Sequence, residues 1–128
     1  VSKDRLIQAI AKVFGKDASL IPAQTIANAP VVLLMTAEQL TQLTGFARGT
    51  VLGYTEAFPT FGGDTPNGVM YILAGQSRMD SFRSYGHELG NLLDRHYFGS
   101  ASAHRDPNIT SDWDTGAAFE EALFGPPH

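Results

Sequence analysis

The sequence predicts an α+β domain in which a small mixed sheet packs against one long helix. Two observations carry this. Apolar residues recur at helical spacing over 4–14 and again over 78–98. Between these segments lie three stretches with the character of β-strands, at 31–35, 50–58 and 69–73. The pattern thus passes from helical to strand-like and back, as in an α+β chain.

Each element has its own justification. Over 4–14, Leu6, Ile7, Ile10, Val13 and Phe14 share a helical spacing, Asp4 is placed to cap the start, and Gly15 stops the run. The apolar run at 31–35 suits a buried strand. Thr36-Ala37-Glu38-Gln39 is a capping box, which predicts a helix over 37–44 ending at Gly45. Residues 50–58 and 69–73 flank a loop full of turn formers, so the two strands are expected to pair as a loose hairpin. The long helix over 78–98 ends at Gly99, and Asp106-Pro107-Asn108 makes a turn. Asp114 is placed to cap a last helix over 115–124, which Gly125-Pro126-Pro127 terminates.

Bulk composition narrows the function classes. A chain of 128 residues with 43% apolar content makes one domain, 1–128, with a real core. The net charge of −4 and the absence of a Lys/Arg block disfavour nucleic acid as a main partner. No cysteine is present, so disulfides and thiolate metal sites are excluded. No apolar run approaches the ~18 residues that span a membrane. The chain begins with Val1 rather than Met, which suggests a piece excised from a longer protein.

The chemistry-bearing stretch is Ser84-Tyr85-Gly86-His87-Glu88-Leu89-Gly90-Asn91-Leu92-Leu93-Asp94. At ~100° per residue, Phe82, Tyr85, Leu89, Leu92, Leu93 and His96 cluster on a core-facing side. Opposite them stand Asp80, Arg83, His87, Asn91 and Asp94, facing either a cleft or plain solvent. His87 and Asn91 lie four apart, so their side chains can share one ion. Glu88 points aside, where it can hold a water without ligating the metal. Asp94, ~4.5 Å further along the axis at ~1.5 Å per residue, suits a supporting partner rather than a ligand. Two interior glycines, Gly86 and Gly90, each cost about 1 kcal/mol against Ala. A close approach by another strand or by substrate would explain them.

This segment resembles the active-site helix of zincin metallopeptidases, in which an edge strand precedes a helix bearing His-Glu-x-x-His. Here 69–73 is similar to the edge strand and His87-Glu88-Leu89-Gly90-Asn91 to the motif, within a resemblance covering roughly 50–125. It implies a minimal zincin-like domain that uses zinc to hydrolyse a peptide or protein substrate; from charge and hydropathy, no nucleic-acid or membrane partner is expected. By position, His87 is the first metal ligand and Glu88 the general base. Asn91 takes the second-ligand position, where the pattern has His, and an amide oxygen is a poorer zinc donor than imidazole. In the glutamate-using branch of that family the third ligand comes from a downstream helix, which 114–121 resembles. Glu120 lies at the edge of that helix's buried face and Glu121 nearly opposite, so Glu120 is the candidate.

Other features have plainer readings. His96 is expected at the core boundary, His104 in a solvated loop, and His128 at the terminus. Trp113 is expected to brace the last helix, Tyr54 and Tyr71 to pack within strands, and 58–63 to serve as a connector. Two further function classes remain open: a protein-binding module that has lost its metal, and a metal-free acid/base hydrolase using His87, Glu88 and Arg83. A terminal toxin domain of a larger secreted protein is a variant of the hydrolase readings.

Overall fold

A computed structural model describes residues 2–22, 31–48, 51–57, 68–98 and 112–126, with the side chains of 56, 57, 68 and 112–114 outside the description. The fold is α+β, with a three-stranded mixed sheet laid against a long helix. Helix α1 spans Lys3–Phe14 and is followed by a 3₁₀ segment, Gly15–Leu20. Strand β1 (Val31–Met35) leads into helix α2 (Ala37–Thr44). Strands β2 (Gly53–Ala57) and β3 (Gly68–Leu73) precede helix α3 (Arg78–Phe98), and helix α4 (Asp112–Phe124) closes the described chain.

The caps behave as local chemistry dictates, with two differences. Gln39 N–H donates to Thr36 Oγ1 at 3.1 Å and Thr36 N–H donates to Gln39 Oε1 at 2.9 Å, completing the capping box of α2. In α1 the cap is Ser2, whose hydroxyl accepts from Arg5 N–H, rather than Asp4, which lies inside the first turn. Helix α4 begins at Asp112, so Trp113 and Asp114 lie within it rather than ahead of it.

The sheet order is β1-β3-β2, with β1 parallel and β2 antiparallel to β3. The β2–β3 hairpin is as expected, but β3 is the central strand, whereas the zincin resemblance made it an edge. The register runs Gly53↔Ile72 to Ala57↔Gly68 on one side and Val31↔Val69 to Met35↔Leu73 on the other. Alternation sends Met70, Ile72 and Thr55 to one face, where all three are buried against α3. Strand β1 is not the buried strand expected: Val31 is 58% and Leu34 68% exposed. As an edge strand it lies beyond the cover of α3.

Most of the core lies between helices. Leu6, Ile10, Val13 and Phe14 of α1 meet Leu89, Leu92 and Leu93 of α3 and Phe119 and Leu123 of α4. Phe14 stacks on Phe98 with ring centroids 5.3 Å apart. Ile7 and Phe82, both counted to apolar faces above, are exposed. The interior glycines of α3 admit α4 rather than a strand or substrate. A Cβ on Gly90 would lie 2.6 Å from Phe119 Cβ and 3.2 Å from Gly116 Cα, and one on Gly86 would meet Phe124 and Leu123. With the sheet on one side and α4 on another, α3 buries polar residues too: Ser84, Glu88, Asn91 and Asp94. Among the described residues no helix is long and apolar enough to cross a membrane.

Candidate functional site

A cavity of about 600 Å³ opens between α3, Glu120 of α4, β2 with its lead-in, and the end of α2. Ser84, His87, Glu88, Asn91 and Arg95 line it from α3, and Glu120 lines it from α4. Val51 to Thr55 form the opposite wall, with Thr44 and Phe46 at one side. All four residues singled out in the sequence, His87, Glu88, Asn91 and Glu120, thus face one cavity. Of the polar side of α3, His87 and Asn91 face this cleft, while Asp80 is exposed to solvent.

His87 and Glu120 come from different helices, and their nearest atoms, Nδ1 and Oε1, are 4.0 Å apart. Two donors bound to one zinc at about 2.0–2.2 Å lie no more than ~4.2 Å from each other, so this pair is within reach of a single ion. Burial lowers the His87 pKa, and the Glu120 charge partly offsets this. The imidazole is therefore biased toward the neutral form, which can accept a proton or bind a cation. The other carboxylate oxygen of Glu120, Oε2, accepts from Arg83 Nη1 at 3.1 Å.

Asn91 is 6% exposed, one turn after His87. Its Oδ1 is buried and has no hydrogen-bond partner among the described residues. A buried, unsatisfied carbonyl-type oxygen is costly and calls for an explanation. Gly116 makes room beside it: a Cβ there would lie 2.6 Å from Asn91 Oδ1 and 2.9 Å from His87 Cδ2. Gly116 stands one turn before Glu120 on α4, so this glycine lets α3 and α4 meet beside Asn91 and His87.

Glu88 lies deeper and points at β2. Thr55 Oγ1 donates to its Oε2 at 2.9 Å, and Arg95 Nη1 donates to Thr55 O at 2.7 Å. Burial pushes the Glu88 pKa up to about 7, against the opposing pull of Thr55, the Arg95 charge and a hydrogen bond from Asn91. Gly53 permits this placement, because a Cβ there would lie 2.9 Å from Glu88 Cγ. Thr55 and Arg95 escaped the sequence reading. Gly53 and Thr55 share one face of β2 by their period of two, but nothing local says which helical residue they will meet.

The remaining assignments divide. Asp94 is fully buried and does not line the cavity. His96 is half-buried, with its ring edge-on to Tyr97 at 4.6 Å, consistent with a boundary position. Tyr54 and Tyr71 stack at 6.3 Å as strand packing residues, and Tyr54 also lines the cavity. His104, His128, the side chain of Trp113 and the connector at 58–63 lie outside the described residues.

Comparisons of the chain with protein-family models, with curated proteins and with solved structures return no match. The site is therefore read on its chemistry alone. Among the described residues no group of three or more His, Cys, Asp or Glu is arranged to hold a metal ion. The donor set here is mixed: one imidazole, one carboxylate and one amide oxygen. It fits a divalent cation, because the two stronger donors are within reach of one ion and the third is a buried oxygen with no hydrogen-bond partner among the described residues.

Proposed function

We propose that this chain is a zincin-like, metal-dependent hydrolase acting on a peptide or protein, with a divalent ion, zinc in the first instance, held by His87, Asn91 and Glu120. The observation that carries this reading is the convergence of those three side chains with Glu88 on one cavity, His87 and Glu120 being 4.0 Å apart. When bound, the ion would supply Lewis acidity and an acidified water. Glu88 is the general base. Its Oε2 is held by Thr55, and the carboxylate takes a proton from the attacking water and returns it to the leaving amine. Thr55 and Arg95 keep that carboxylate in one orientation. The apolar wall formed by Val51, Leu52 and Phe46 offers a surface for substrate side chains.

One observation favours a second reading, a metal-free acid/base hydrolase. Glu120 is already paired with Arg83, and a carboxylate so paired can orient His87 as a base instead of ligating a metal. Cleavage of a quenched-fluorescent peptide library separates the readings. The metal-dependent reading expects turnover that strong chelator abolishes. It also expects Glu88→Gln to lose turnover while retaining metal, and His87→Ala to lose both. Full turnover in chelator selects the metal-free reading. No turnover with no bound metal leaves the chain a non-catalytic binding module.

A further inference from the structure

We infer that Arg83 is a positioning residue that holds Glu120 so that its Oε1 faces His87; this rests on the reading of His87, Asn91 and Glu120 as a metal site. The Arg83 side chain is only 14% exposed, and its four acceptors all belong to α4 and the turn that ends it. Nη1 donates to Glu120 Oε2 at 3.1 Å and to Gly125 O at 3.1 Å. Nη2 donates to Phe124 O at 3.0 Å and to Pro126 O at 3.4 Å. The guanidinium also lies over the Phe124 ring, 6.0 Å from its centroid. A planar fork with five donors can serve these acceptors together, and a lysine ammonium cannot. Gly125 takes φ +81°, the left-handed conformation in which α4 ends, and its carbonyl is one of the acceptors that Arg83 collects.

A guanidinium that only closed the end of α4 would need the carbonyls alone. The same Nη1 that reaches Gly125 O also tethers Oε2 of Glu120, which leaves Oε1 toward His87 Nδ1 at 4.0 Å. One oxygen held in place restricts the rotation of the carboxylate before any ligand arrives, so less entropy is lost when an ion binds. The chain supplies its own comparison. Arg5 Nη2 donates to Leu123 O on the same last turn of α4.

The test is competition for Zn²⁺ between the full chain and a chromophoric chelator, with wild type, Arg83→Lys, Arg5→Lys and His87→Ala compared. Thermal unfolding of each is followed in excess chelator. Arg83→Lys keeps the charge and loses the fork, so it isolates geometry from Coulomb repulsion of the ion. Zinc affinity is expected to fall about 10- to 100-fold in Arg83→Lys, the usual range for a partner that orients a metal ligand. Arg5→Lys is expected to bind as wild type does, whatever it does to unfolding. Unchanged affinity in Arg83→Lys, or an equal loss in Arg5→Lys, overturns the inference while the metal site stands. Wild type and His87→Ala competing equally would remove the metal site itself, and the inference with it. Should Arg83→Lys not fold, Gly125→Ala strains the turn and displaces one acceptor of Arg83. Weakened zinc binding there supports the inference, and unchanged binding overturns it.

Discussion

At the scale of single residues, the site opposes two titrations. Glu88 has its folded pKa raised from 4.5 to about 7, chiefly by burial. Between those values the folded state holds a proton that the unfolded state has released, so stability falls as pH rises through the window. A shift of that size corresponds to about 3 kcal/mol of stability, fully present below pH ~4.5 and fully lost above ~7. His87 has its folded pKa lowered, so it acts in the opposite sense, removing stability as pH falls below its ordinary value of 6.5. The slope of the wild type alone mixes the two, and a difference between variants separates them. In metal-free protein, Glu88→Gln is expected to unfold at a higher temperature than wild type at pH 8. The gap should close as pH falls to about 4.5, as followed by circular dichroism. A gap that does not vary with pH would show that Glu88 is not buried as described. His87, Glu88 and Asn91 were legible in sequence because spacing on a helix fixes relative direction. Thr55 was not, because it meets Glu88 across 33 residues of chain and only the tertiary fold brings them together.

At the scale of elements, the junction of α3 with α4 sets the geometry, since one helix carries His87 and Asn91 and the other Glu120. Gly90 and Gly86 look alike in sequence but not in packing. A Cβ on Gly90 would meet Phe119 Cβ at 2.6 Å and the backbone of Gly116 at 3.2 Å, neither of which yields without moving a helix. One on Gly86 would meet the ends of the Phe124 and Leu123 side chains at 3.0 and 3.2 Å, which can turn aside. Gly90→Ala is therefore expected to destabilise by about 1–3 kcal/mol or more despite a better helix propensity. Gly86→Ala should stay close to neutral. Urea denaturation of both variants checks the contrast, and equal effects would contradict the packing described. Helices and strands were readable because caps and periodicity are local: Thr36 with Gln39, and Gly45 after α2. That β3 is central and β2 borders the cavity was not readable, because the β1-β3-β2 order depends on contacts between distant segments.

At the scale of the whole molecule, the α+β class followed from the order of patterns, while the distribution of burial did not. Apolar sequence at 31–35 suggested a buried strand, yet β1 ends the sheet, where α3 does not cover it. Its side chains contribute little to folding stability. Leu34→Lys, at a side chain 68% exposed, is expected to change unfolding free energy by no more than about 0.5 kcal/mol. It should also raise the soluble fraction on expression, because a charge on an exposed apolar edge opposes strand-to-strand association. A large loss of stability would mean that β1 is covered. Conversely, sequence left Asn91 and Asp94 open between a cleft and solvent, yet both, with Glu88, are interior in the fold, because α3 is packed by the sheet on one side and by α4 on another. That burial is what turns a row of polar residues into a candidate site. The central claim is that one divalent ion sits between α3 and α4. The most direct measurement is anomalous scattering at the zinc absorption edge from crystals grown with zinc. The account predicts a single strong peak within bonding distance of His87 and Glu120 and beside Asn91 Oδ1. Crystals with no peak in that cavity, or with zinc only on other residues, would contradict it.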